Sequence, residues 1–114
     1  MKKFKMNNRN WKIIELSQEE IKQHIKEYKY DGQPTEIGRY YGQTYCDEQI
    51  IYLDKDLHIE QKKITLMHEL MHCYINCYIT HQEQQYSEED ICNISANSNE
   101  IINKIVEAYF ANKM

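Results

Sequence analysis

The chain has 114 residues, a formal charge of −4, and 41% apolar and 28% charged residues. That is one ordinary domain, able to bury a single modest core. The mild acidic balance argues against a nucleic-acid partner, and no apolar window is long enough to span a membrane.

Met1 to Lys12 carries Lys2, Lys3, Lys5, Arg9 and Lys12 around a polar run, Asn7 to Asn10. Residues 1–12 are expected to be a frayed, solvated terminus rather than a phosphate-binding arm. The polar run also breaks any signal-peptide pattern. The expected location is therefore cytoplasmic, and Cys46, Cys73, Cys77 and Cys92 are expected as reduced thiols.

Ser17-Gln18-Glu19-Glu20 has the form of a capping box. Ile21, His24, Ile25 and Tyr28 follow at helical spacing, which predicts a helix over 18–30 ended by Asp31-Gly32-Gln33-Pro34. Residues 35–54 are rich in aromatic and β-branched types and predict an antiparallel hairpin, with Cys46 to Gln49 as its connection.

A second helix is predicted from about Ile59, because Ile64, Met67, Leu70, Met71 and Tyr74 recur at i, i+3 and i+4. Thr80 to Tyr86 is a loop, and Ser87 caps a third helix. Asn97-Ser98-Asn99 is expected to interrupt it before a last helix through Ile101, Ile105 and Tyr109. The predicted architecture is a single α+β domain over 1–114, with a small antiparallel sheet and about four helices.

The second helix carries His68-Glu69-Leu70-Met71-His72. Histidines four apart lie one turn apart on one helix face, where both can bind the same ion. Glu69 is rotated by about 100° from His68, so it can act on a water without ligating strongly. Zinc makes that water acidic, and the glutamate takes its proton during attack on a carbonyl. This is the chemical content of an H-E-x-x-H motif.

A third protein ligand is then required. No histidine follows at the needed spacing, so an acidic residue at the start of the third helix is the remaining option. Glu89 is the choice, ahead of Glu88 and the more distant Glu100. Cys92, Asn93 and Ala96 beyond it are small enough for close packing of that helix on the second. Two histidines and a glutamate also accept other divalent ions.

Other constellations are weaker. Cys73, Cys77, His81 and Cys92 could form a structural metal site, but Cys73 and Cys77 read more simply as buried core thiols. Tyr86, Tyr109 or His81 could stabilise an oxyanion. An exposed strand edge within 36–45 could pair with a substrate backbone.

Three segments together resemble the ImmA/IrrE family of bacterial metallopeptidases: Ile51-Tyr52-Leu53-Asp54, Thr65 to His72, and Glu89-x-x-Cys92-Asn93-x-x-Ala96. The resemblance covers about residues 50–97. It implies a zincin-like fold, His68, His72 and Glu89 as ligands of one Zn2+, and Glu69 as catalytic base. It also implies an intracellular protein substrate, such as a transcriptional repressor of a phage or mobile element. Met71 and Ser95 depart from the family pattern without removing a ligand. No DNA-binding module is expected on this chain. The alternative is a zinc-stabilised binding protein that does not turn over, which would have no chemical need for Glu69.

Overall fold

A computed structural model describes residues 2–28, 39–79 and 88–114, with the side chains of 26–28 and 88–91 excepted. Its elements are β1 (Lys2–Met6), β2 (Arg9–Leu16), α1 (Gln18–Tyr28), β3 (Gly42–Tyr45), β4 (Ile50–Asp54), α2 (Ile59–Tyr78) and α3 (Glu88–Phe110). The class is α+β, as expected.

The N-terminal stretch is not frayed. β1 and β2 form an antiparallel hairpin in which Phe4 faces Trp11 and Met6 faces Arg9. Asn7 and Asn8 both have positive φ, 51° and 63°, the feature that suits a two-residue turn to the twist of its strands. Asparagine tolerates this region better than most residues. Phe4, Met6, Trp11 and Ile13 are buried, while Lys3, Lys5 and Lys12 are exposed. The period-two alternation is that of a strand with one buried face.

The sheet order is β1-β2-β4-β3. β3 and β4 form the predicted antiparallel hairpin, but β2 pairs with β4 in parallel, Ile13 opposite Ile51 and Leu16 opposite Asp54. The sheet is therefore mixed rather than antiparallel. A parallel pair needs a crossover connection, and α1 lies within the one that joins β2 to β4.

The two faces of the sheet bury different clusters. On one, Ile13, Ile51 and Leu53 meet Leu66, Leu70, Cys73, Ile102, Ile105, Val106 and Tyr109 of α2 and α3. On the other, Tyr45, Tyr52, Ile14 and Leu16 meet Ile21 and Ile25 of α1. The layers run α1, sheet, then α2 with α3.

The capping box at α1 is formed as predicted. Ser17 N donates to Glu20 Oε1, and Glu20 N donates back to Ser17 Oγ, both at 3.2 Å. The helix end beyond residue 28, the Asp31–Pro34 breaker and the 35–38 part of the hairpin lie outside the described residues, as does the Ser87 cap.

α3 runs unbroken through Asn97-Ser98-Asn99, so the described residues form three helices where about four were expected. Asparagine costs only about 0.7 kcal/mol relative to alanine in a helix. Asn97 and Asn99 are exposed, and buried Ser98 donates to the Ser95 carbonyl at 3.3 Å. Burial of the apolar stripe beyond outweighs those penalties.

Candidate active site

α2 presents two different faces at its motif. His68 and His72 are exposed. Glu69, one residue on, is only 7% exposed and faces the sheet. The helix is held in that orientation by Leu66, Leu70, Cys73 and Cys77, all buried in the core. Cys73 and Cys77 are thus core residues, and burial pushes the Cys73 thiol well above its ordinary pKa.

The His68 and His72 rings have centroids 5.0 Å apart, with planes at 76°. Two imidazoles bound through nitrogen to one tetrahedral ion, at about 2.0–2.1 Å each, put their ring centres roughly 5 Å apart. The pair therefore fits a shared divalent metal, and its nitrogen donors suit zinc. Among the described residues, no three His, Cys, Asp or Glu side chains gather into a complete site.

Glu89 and Glu88 begin α3 as expected, but their side chains lie outside the described residues. Glu100 pairs with Lys104 at 3.2 Å on an exposed helix face. Contrary to expectation, Cys92, Asn93 and Ala96 do not pack α3 closely on α2, since all three are exposed. α3 instead packs through Ile102, Ile105, Val106 and Tyr109, with Ile94 and Ile101 beside them.

Glu69 is met by β3. Thr44 Oγ1 donates to Glu69 Oε1 at 2.8 Å. Gly42, two residues earlier on the same strand face, has no side chain to intrude: a Cβ there would stand 3.2 Å from Glu69 Cγ and 2.9 Å from Thr65 Cγ2. In the sequence Thr44 is legible only as a strand residue, and nothing there ties it or Gly42 to Glu69. A lone glycine within a strand pattern is the signal that could have found Gly42, because it marks close approach of another element.

A cleft of about 360 Å³ opens beside the glutamate. Its walls include Arg39, Tyr41, Gly42, Ile64, His68 and Glu69. Arg39 is fixed by buried Asp54, to which it donates through Nε at 2.7 Å. Gln18 reaches across from α1, accepting from Tyr40 N at 2.9 Å and donating to Asp54 Oδ2 at 2.8 Å. These contacts hold the approach to β3 against the sheet.

The oxyanion candidates fare differently. Tyr109 is buried and donates its hydroxyl to Glu15, which raises its pKa together with burial. It borders a separate cavity with Lys2, Glu15 and Lys62, none of which lines the cleft at Glu69. His81 and Tyr86 lie outside the described residues.

In comparison with protein families, residues 9–111 match the IrrE N-terminal-like domain of the Peptidase_M78 family. The chain belongs to the IrrE N-terminal-like family. The match takes in the whole of β2 through α3, well beyond the three segments that resemble ImmA/IrrE proteins. It supports a function of the metallopeptidase type. No curated protein and no solved structure matches the chain. For this IrrE-like domain, no helix among the described residues is long and apolar enough to cross a membrane.

Proposed function

We propose that the protein is a zinc-dependent endopeptidase that hydrolyses a peptide bond in a specific intracellular protein. One observation carries this reading: an exposed imidazole pair at the spacing of a shared ion, with a buried carboxylate beside it at a cleft. His68 and His72 would hold the ion, with Glu89 as third donor. Once bound, zinc would supply Lewis acidity, making a water acidic and polarising the scissile carbonyl.

Glu69 does the proton work. Its Oε1 accepts from Thr44, so Oε2 is left to take the proton of the attacking water and pass it to the departing amine. Among the described residues β3 is an edge strand of the sheet, and a substrate backbone added along it would run past the cleft in extended form. A domain this small has little room for deep side-chain pockets, so selectivity would come from docking to the partner protein. The resemblance to ImmA/IrrE proteins favours a cytoplasmic regulator, such as a transcriptional repressor of a mobile element, as that partner.

The test compares zinc-loaded wild type with Glu69→Gln in a cell lysate, reading new protein N-termini by mass spectrometry. The expected result is a small set of cleavages made by wild type alone, with equal zinc in both proteins. Identical N-terminal profiles would remove hydrolysis as the function and leave a zinc-stabilised binding protein.

A further inference from the structure

We infer that Thr44 is a positioning residue for Glu69, fixing the carboxylate in the one orientation from which it can act as base. The inference rests on the reading of Glu69 as the catalytic base. Three observations meet at this contact. Glu69 is 7% exposed yet belongs to a helix face bordering a cleft. Thr44 Oγ1 stands 2.8 Å from Glu69 Oε1, within hydrogen-bond range. Gly42 leaves open the space through which the glutamate stem passes, its virtual Cβ only 3.2 Å from Glu69 Cγ.

The donor is stiff where the acceptor is not. Thr44 lies in the β3–β4 ladder opposite Ile51, and its β-branched side chain has few rotamers open to it. Glutamate has three rotatable side-chain bonds, and its place in α2 fixes only its backbone. A hydroxyl donated to one carboxylate oxygen selects a single rotamer and commits that oxygen. The other oxygen is then the one presented for proton transfer. A base displaced by about 1 Å can cost a hundredfold in rate.

β3 thereby serves Glu69 twice, with a glycine for clearance and a threonine for orientation. A purely structural reading would have Thr44 do no more than satisfy a buried carboxylate. The two differ in what Thr44→Val and Thr44→Ser should do. Valine keeps the shape and suits a strand, but it removes the donor. Serine keeps the donor and removes a methyl group.

The experiment measures Glu69 side-chain couplings by NMR in wild type, Thr44→Val and Thr44→Ser, metal-free and zinc-loaded, alongside melting temperature, zinc content and new N-termini in lysate. Wild type and Thr44→Ser should show one Glu69 rotamer, and Thr44→Val an averaged set, with similar zinc content in all three. Cleavage should fall about tenfold to a hundredfold in Thr44→Val and recover in Thr44→Ser. An unchanged rotamer in Thr44→Val, or full cleavage by it, would overturn the inference. If wild type itself cleaves nothing, hydrolysis fails as the function, and the rotamer comparison still decides whether Thr44 fixes Glu69.

Discussion

Arg39 and Asp54 meet at 2.7 Å across the start of β3, the guanidinium half in solvent and the carboxylate wholly buried. Asp54 also accepts from Gln18 and from the Asp56 N–H at 2.9 Å. One carboxylate thus ties the end of β4 to α1 and to the cleft wall. Asp54→Ala removes the acceptor shared by Arg39, Gln18 and the Asp56 N–H and should cost about 1–3 kcal/mol by urea denaturation. Arg39→Ala should cost less, because its site is half hydrated.

The same carboxylate sets an acid limit. Burial alone would raise its pKa, but the Arg39 guanidinium, the Asp56 N–H and Gln18 outweigh burial and hold it below the usual value. A depressed folded-state pKa gives stability that is present above the unfolded value, about 3.9, and lost as pH falls through the folded one. Glu15, with Lys62 and Tyr109 as partners, shifts the same way. The melting temperature should therefore begin to drop below roughly pH 4–5. The drop should be shallower in Asp54→Asn.

At Gly42 the clearance is testable by filling it. A Cβ would stand 2.9 Å from Thr65 Cγ2 and 3.2 Å from the Tyr52 carbonyl oxygen. Thr65 is buried within α2, and a backbone carbonyl cannot move aside. Gly42→Ala should destabilise by about 1–3 kcal/mol. Thermal unfolding would show this as a loss of several degrees or more.

Elemental analysis of protein purified without chelators tests the ligand set. Wild type should hold about one zinc per chain, and His72→Ala should lose it. Glu89→Gln should weaken zinc binding, whereas Glu88→Gln should not. Weakening by Glu88→Gln alone would move the third ligand by one residue.

Thiol titration should separate the four cysteines by burial. Cys92 is exposed, Cys46 intermediate, and Cys73 and Cys77 buried. Cys92 should react first and Cys46 more slowly, since partial burial raises its pKa. Cys73 and Cys77 should react only on unfolding.

What could be read from the sequence was mostly what is decided locally. The Ser17–Glu20 box needs only four residues, and α2 announces itself through apolar spacing. The helical period sets Glu69 about 100° from His68, but that Glu69 is buried and both histidines exposed shows only once α2 is packed on the sheet. The parallel pairing of Ile13 with Ile51 was not legible, because neither segment states its distant partner. The β1–β2 hairpin was hidden by its lysines. Its alternation of Lys3, Phe4, Lys5 and Met6 has a strand's period, yet the charge suggested a solvated tail. Thr44 escaped notice for a related reason: only the packing of β3 on α2 gives its hydroxyl a partner.

The parallel seam between β2 and β4 also bears on the order of assembly. Both hairpins and the helix after them close through contacts between near neighbours in sequence, whereas joining Lys12 to Ile50 closes a long loop. Loop closure costs entropy before its contacts repay it. Thr44, Glu69 and the two histidines all lie in the contiguous stretch from β3 to α2. Thr44, Glu69 and the two histidines can therefore meet through contacts local in sequence, whereas Glu89 of α3 and the β2–β4 seam depend on closures that span more of the chain.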